Sequence, residues 1–206
     1  MKQLYSAYKI KDHIPENAMT TIEKLLADND VCLKISRQRV TKLGDYRSLN
    51  KGRIHSISVN GNLNIYSFLL TLIHELAHLK VYVNYGSRVK PHGMEWKNEF
   101  RLLMSWFMDN DVFPQDLLDE IRRSMINPKA ASNSDEKLAL ALRRYDELKS
   151  GEVILNEVPE NSVFYTKRGR KFVKGKKVRK RIKCKDLNNG RLYLFSPIAE
   201  VLLEPR

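Results

Sequence analysis

The chain has 206 residues, of which 42% are apolar and 30% charged. This composition excludes a disordered polyelectrolyte and can bury the core of one medium domain with a small additional module. The two cysteines, Cys32 and Cys184, stand far apart in sequence, which argues against a disulfide framework and a cysteine-ligated structural zinc. The net charge of +13 indicates a polyanionic partner.

Targeting and membrane signals are not found in the sequence. The apolar run at residues 65–73 is cut by His74 and Glu75, well short of the roughly eighteen apolar residues that a membrane helix needs. Residues 1–5 lack the long apolar segment and the cleavage site of a signal peptide. We therefore expect a cytoplasmic protein that has no membrane partner and can associate with the nucleoid.

The first sixty residues predict a helix followed by strands. Residues 14–28 carry apolar side chains at helical spacing after Pro15 and predict an amphipathic helix. Residues 31–35 predict a short strand, and residues 37–45 a turn or a second strand. Residues 53–60 predict a strand that could offer an edge to an extended substrate. His55 on this strand is interpreted as an ordinary strand residue rather than a ligand.

The segment His74-Glu75-Leu76-Ala77-His78 lies inside an apolar run that predicts a helix from about residue 63 to 82. Histidines four residues apart share one helix face, so both can bind one zinc ion at about 2.0–2.1 Å. Glu75 is placed to take the proton of a water that attacks a carbonyl. The alternative is a pair of surface or core histidines with no metal.

A third ligand is expected after residue 90, where Pro91 precedes a predicted helix opening at His92. A metzincin would have its third histidine at the position of Asn84, so that subclass is excluded. His92 would complete a three-histidine site, and Glu95 or Glu99 a two-histidine, one-glutamate site. His92 is preferred because a surface glutamate on a helix needs no special explanation.

The remaining chain predicts two helices and then short strands. Residues 114–125 predict a short helix, and residues 127–133 a linker. Asn133 or Ser134 can cap a helix that runs to about Lys149 and is expected to pack between the two parts of the protein. Segments at 163–165, 171–173, 178–184, 191–195 and 198–203 predict a small β-barrel-like module.

Almost all of the excess charge lies between residues 167 and 185. The other 25 basic residues nearly match the 24 acidic residues of the chain. The stretch holds twelve cations and no acidic residue: Lys167, Arg168, Arg170, Lys171, Lys174, Lys176, Lys177, Arg179, Lys180, Arg181, Lys183 and Lys185. Such a cluster predicts binding to DNA or RNA, with Tyr165, Phe172 and Tyr193 near it as candidates for stacking on bases. The alternative is a solvated basic surface with the aromatic side chains in a core.

Several segments together resemble the SprT-like metallopeptidase domain, over roughly residues 1–110. They are Gly44-Asp45-Tyr46, the strand ending in Val59-Asn60, the segment 74–78 and His92-Gly93-Met94-Glu95-Trp96. The family includes a protease that acts on DNA–protein crosslinks. The resemblance implies an α+β, zincin-like fold with one catalytic zinc on His74, His78 and His92, and Glu75 as the acid/base. Bacterial members often carry a cysteine-rich zinc ribbon after this domain, which the present chain cannot build.

These observations predict a zinc metallopeptidase domain at residues 1–126, a linker with a connecting helix at 127–150, and a basic β-rich nucleic-acid-binding module at 151–206. The predicted function is proteolysis of DNA-associated proteins, with Tyr82 or Tyr85 as a candidate for stabilising the oxyanion. The alternative is a nucleic-acid-binding protein whose zinc site is structural or vestigial. Glu75 argues against this alternative, because a structural site has no use for a general base.

Overall fold

A computed structural model describes residues 7–39, 41–48, 54–130, 135–147 and 151–204. The chain divides into two compact units, Met1–Tyr145 and Asp146–Arg206. The first combines helices with a three-stranded sheet, and the second is built on a six-stranded sheet, so the predicted α+β class is confirmed. In the described segments, each helix is too short or too polar to cross a bilayer.

The sheet of the first unit contains β1 (Val31–Ser36), β2 (Gly44–Arg47) and β3 (His55–Asn60) in the order β1-β3-β2. β3 pairs in parallel with β1 and antiparallel with β2. The strand predicted at residues 53–60 therefore lies in the centre of the sheet, and the prediction that it offers an edge to a substrate is wrong. Among the described strands, β1 and β2 form the two edges of this sheet, and β2 is the edge strand that lies against Glu75 of α3.

Helices cover the larger part of the first unit. They are α1 (Ala7–Ile10), α2 (Met19–Asp28), α3 (Ile65–Tyr85), α4 (Met94–Met108), α5 (Gln115–Met125) and α6 (Glu136–Arg143). α2 starts later than predicted because Pro15 leads into a separate 3-10 turn, Glu16–Ala18. The predicted caps Asn133 and Ser134 and the predicted end at Lys149 lie outside the described residues. Asp135 caps α6 by accepting a hydrogen bond from the backbone N–H of Leu138.

α6 is an integral part of the first unit. Its side chains Leu138, Ala141 and Leu142 are buried in the same core as α3 and the three-stranded sheet. The amide of Asn64, which caps α3, donates to the carbonyl oxygen of Leu142 at 3.0 Å. The sequence instead predicted that this helix packs between the two parts of the protein. The predicted domain boundaries at residues 126 and 150 remain predictions.

The second unit contains β4 (Glu152–Ile154), β5 (Val163–Tyr165), β6 (Lys171–Val178), β7 (Arg181–Asp186), β8 (Leu192–Phe195) and β9 (Glu200–Leu202). Their order is β4-β9-β5-β6-β7-β8, and neighbouring strands are antiparallel. Since β4 and β8 end the described sheet without pairing with each other, the sheet is open and the predicted barrel is not closed. The strand predicted at 178–184 is interrupted by a tight turn, in which Arg179 has a φ of 54°.

Candidate metal centre and basic surface

His74 and His78 lie in the middle of α3, and the sequence explains why the helix forms there. The Asn64 side chain accepts hydrogen bonds from the backbone N–H groups of Tyr66 and Ser67 and so satisfies two donors of the first turn. The apolar side chains that follow are buried on the core side. The two histidines occupy successive turns on one face and are only half-buried.

His92 reaches the same place from a turn before α4. The N–H of Gly93 donates to the carbonyl of Lys90 at 2.9 Å, with Pro91 and His92 as the central residues of a β-turn. His92 has a φ of 56°, the left-handed value that the third residue of a type II turn requires and that usually favours glycine or asparagine. A strained conformation at this histidine is consistent with a functional constraint on its position.

The three imidazoles converge through their Nε2 atoms. The separations are 3.2 Å for His74 and His78, 3.0 Å for His78 and His92, and 3.1 Å for His92 and His74. Nitrogen ligands about 2.05 Å from a tetrahedral zinc would lie roughly 3.3 Å apart, so this triangle is close to the required size. The three histidines thus lie close enough to hold one metal ion.

The protonation state of these side chains also suits metal binding. Burial, reinforced by the neighbouring imidazoles, lowers the pKa of His74 to about 3. Burial and His92 lower the pKa of His78 to about 4, and burial lowers the pKa of His92. The imidazoles are therefore neutral at pH 7, and neutral nitrogens are the form that binds a divalent cation.

Trp96 packs against all three histidines, a role that the sequence did not indicate. Its ring centroid lies 4.6 Å from that of His74, 5.6 Å from His78 and 4.8 Å from His92. Phe100 stacks behind the indole at 4.9 Å, and both side chains are buried. In the sequence, Trp96 is only the last residue of the segment that begins with His92. In the structure it also restricts the orientation of the imidazole rings.

Glu75 is almost fully buried beside the first histidine, with 7% of its surface exposed. Burial and, secondly, Asp45 raise the pKa of Glu75 to about 7, although a hydrogen bond from the backbone of Tyr46 opposes the shift. β2 lies directly against this carboxyl group, because a methyl group at Gly44 would be 2.5 Å from Glu75 Oε1. A carboxyl with a pKa near neutrality can both accept and return a proton.

The glutamates considered as alternative ligands make other contacts. Glu99 Oε1 accepts a hydrogen bond from Asn84 Nδ2 at 2.8 Å. The carboxylate of Glu95 lies near Gly93, within 3.0 Å of where a methyl group on that residue would be. Among the described residues, the candidate metal ligands that converge on this point are histidines alone. His92 is therefore the third side chain that the structure brings to the site.

Tyr82 and His55 lie in one group of aromatic side chains with Tyr46. The Tyr82 ring lies 5.7 Å from that of His55 and 6.4 Å from that of Tyr46. Tyr85, the last residue of α3, is 51% exposed. His55 is not one of the three converging histidines, and its Nδ1 is 3.0 Å from the hydroxyl of Tyr46. Tyr46 belongs to a segment that carries the family resemblance, but the sequence assigned it no role in the site, because its contact with His55 depends on how β2 pairs with β3.

Three of the twelve clustered cations, Lys167, Arg170 and Lys174, are engaged inside the second unit. Lys167 forms ion pairs with the carboxylates of Glu152, at 3.1 Å, and Glu200. Glu152 is buried, so a missing lysine would leave a buried carboxylate without this partner. Lys167 therefore joins β4 and β9, the two strands that carry these carboxylates.

Arg170 and Lys174 have equally specific partners. Arg170 forms an ion pair with the buried carboxylate of Asp186, and its guanidinium lies 4.8 Å from the ring centre of Tyr193. Lys174 is buried and donates to the backbone carbonyl oxygen of Val158. Part of the basic stretch thus stabilises the sheet rather than facing a ligand.

A second group of cations lies on one face of β7. Arg181, Lys183 and Lys185 are exposed and alternate with buried residues along the strand. Lys183 pairs across the sheet with Leu194, and Lys185 with Leu192. These leucines are 63% and 59% exposed. We call the five side chains the outer face of β7–β8; it combines positive charge with aliphatic surface.

The aromatic residues expected near this charge do not form a stacking platform. Phe172 is buried and stacks on Phe164 at 5.6 Å, so the prediction that it is available to a base is wrong. Tyr193 is half-buried beneath Arg170. Tyr165 is half-buried, with the amine of Lys171 5.7 Å from its ring centre.

The comparisons with known proteins agree with the geometry of the first unit. The model of the SprT-like family matches residues 13–116, which is half of the chain and includes the three histidines and Glu75. Searches of curated proteins and of solved structures find no match. On the family match, the chain belongs to the SprT-like family.

Proposed function

We propose that the chain is a zincin-like zinc metallopeptidase that acts on proteins associated with DNA. The observation that carries the peptidase assignment is the convergence of three Nε2 atoms within 3.2 Å of one another beside the buried carboxyl group of Glu75. Membership of the SprT-like family is associated with the same chemistry. A structural site would need the histidines but not the adjacent carboxyl group.

The histidines and Glu75 would have different roles in hydrolysis. Zinc bound by His74, His78 and His92 would polarise the scissile carbonyl and lower the pKa of a bound water. Glu75 accepts a proton from the attacking water while the water oxygen bonds to the carbonyl carbon. The same carboxyl group then gives the proton to the amide nitrogen as the C–N bond breaks. One peptide bond and one water thus yield a carboxylic acid and an amine.

β2 is suited to hold the substrate. Among the described strands it pairs only with β3, so its other side has backbone groups available to an extended peptide. Its residues Gly44 and Tyr46 border the carboxyl group of Glu75. A peptide added along β2 would therefore place its backbone next to the proton acceptor.

The exposed cations of the second unit support the proposal that the substrates are proteins associated with DNA. The exposed cations Arg181, Lys183 and Lys185 can contact successive phosphates, and the aliphatic surface of Leu192 and Leu194 can cover sugar or base edges. DNA or RNA bound on this outer face of β7–β8 would raise the local concentration of nucleic-acid-bound proteins. The charge is concentrated in one module. This favours a peptidase that is recruited to nucleic acid over one that digests proteins in general.

The proposal is tested by comparing wild type with Glu75→Gln on a protein crosslinked to DNA, with single-stranded and double-stranded DNA added separately. The variant keeps the three histidines, so it should retain zinc and lose cleavage, including self-cleavage. Glu99→Gln is the matched control, because its side chain can still accept the hydrogen bond from Asn84. If wild type and Glu75→Gln are equally inert under all conditions, the peptidase assignment is wrong and the site is structural or vestigial.

A further inference from the structure

Three aromatic side chains that the hydrolytic steps above do not use form a cluster at Tyr82, one helical turn beyond His78 on α3. The Tyr46 hydroxyl is 3.0 Å from His55 Nδ1, and the two rings are stacked with centroids 5.9 Å apart. Tyr82 meets the edge of the His55 ring at 5.7 Å. The cluster joins the adjacent strands β2 and β3 to the C-terminal half of α3.

The position of Tyr46 follows from the course of β2 along α3. Gly44 borders Glu75, and Tyr46 lies two residues further on the same side of the strand. Tyr82, which Tyr46 approaches at 6.4 Å, lies one helical turn beyond His78 on the same helix face. Tyr46 therefore lies along α3 between Glu75, whose carboxyl group its backbone contacts, and Tyr82, one turn beyond His78.

The contact with His55 determines what the hydroxyl group can do. A neutral imidazole has one N–H and one acceptor nitrogen. When Nδ1 of His55 carries the hydrogen, it donates to the Tyr46 oxygen, and the phenolic proton is left to donate elsewhere. Burial and, secondly, Tyr82 raise the pKa of Tyr46 to about 12, so the group remains a protonated donor at neutral pH. The side chain is half-buried, which leaves part of it accessible to a ligand.

We propose that the Tyr46 hydroxyl donates a hydrogen bond to the oxygen of the scissile carbonyl as negative charge develops on it, and that His55 is a positioning residue for this hydroxyl. The inference rests on the peptidase function proposed above. No proton is transferred in this step, because the phenol keeps its hydrogen throughout. The role differs from that of Glu75, which handles the proton of the water.

The test uses Tyr46→Phe, which keeps the ring and its packing and removes only the hydroxyl group. With a quenched fluorescent peptide that wild type cleaves, we expect kcat to fall by about 100-fold, the loss typical of one oxyanion donor. KM and zinc content should stay unchanged. Tyr145→Phe is the matched control: it also removes a hydrogen-bonded hydroxyl, 2.6 Å from Asp116, but packs against Tyr66 in the first turn of α3. Its kcat should equal that of wild type.

Variants of His55 separate positioning from simple packing. The amide of Asn can place a donor near the position of Nδ1, whereas Leu fills space without a donor. We therefore expect His55→Asn to retain more kcat than His55→Leu at equal zinc content. Equal losses in the two variants would remove His55 from the positioning role.

The possible results for Tyr46 are distinguishable. A wild-type kcat in Tyr46→Phe, with Glu75→Gln inactive, would overturn the inference and leave the peptidase function standing. A parallel loss of zinc and kcat in Tyr46→Phe would make Tyr46 a structural residue and would also overturn it. A wild type no more active than Glu75→Gln would reject both the function and the inference.

Discussion

Replacing Gly44 with alanine perturbs the carboxyl group of Glu75, the proposed general base, without touching a proposed metal ligand. The new methyl group would lie 2.5 Å from Glu75 Oε1 and 2.8 Å from both Glu75 Cγ and Thr71 Cγ2. Ordinary van der Waals contact begins at 3.4 Å, so the neighbours must separate by about 1 Å. α3 is fixed in the core, while β2 lies at the edge of its sheet. The strand or the Glu75 side chain is therefore the part that moves.

We expect the change to reduce kcat by about 100-fold, because a misplacement of about 1 Å at a reacting group has that effect. The inserted methyl group should also lower the free energy of unfolding by about 1–3 kcal/mol. Zinc content should remain at the wild-type level, since the positions of His74, His78 and His92 do not depend on Gly44. Peptide cleavage, thermal denaturation and metal analysis of the same preparation measure the three quantities.

Gly86→Ala provides a control for stability. Gly86 has φ 75° and ψ −163°, a conformation almost restricted to glycine, and a methyl group there would meet no atom within 4 Å. This variant should lose about 1–3 kcal/mol of stability but keep its kcat per folded molecule. The reasoning is refuted if Gly44→Ala and Gly86→Ala, matched for stability, cleave peptide at the same rate.

Other predictions concern the ligand set, a buried amide and the basic surface. His92→Ala should lower zinc from about one ion per chain to a small fraction, and unchanged zinc by metal analysis would reassign the third ligand. Asn60→Ala should destabilise the protein by about 3 kcal/mol in denaturant titration, because the buried side chain makes four hydrogen bonds. Replacing Arg181, Lys183 and Lys185 with alanine should make the slope of log K for DNA binding against log salt concentration less negative by about 0.9 per lost phosphate contact. An unchanged slope would show that this surface does not contact DNA phosphates.

The sequence was sufficient to predict which histidines lie close together, because the pattern that places them is local. The spacing of His74 and His78 determines their common helix face. His92 follows Pro91 in a turn, and this short segment brings the third histidine to the same point. The approach of Gly44 to Glu75 could not be predicted in the same way, because it depends on how residues distant in sequence pair across a sheet and pack on a helix.

The difference between local patterns and contacts between distant residues also explains why the basic surface of the second unit could be predicted only in part. Twelve cations in nineteen residues appear as one charged surface when only composition is considered. Strand alternation places them on different faces, so that the side chain of Lys174 is buried while that of Lys183 is exposed to solvent. Pairing with distant carboxylates, such as that of Arg170 with Asp186, removes further charge from the surface. A clustered charge in sequence therefore gives an upper limit to the number of phosphate contacts, and the alternation along β7 is the better guide to which cations can make them.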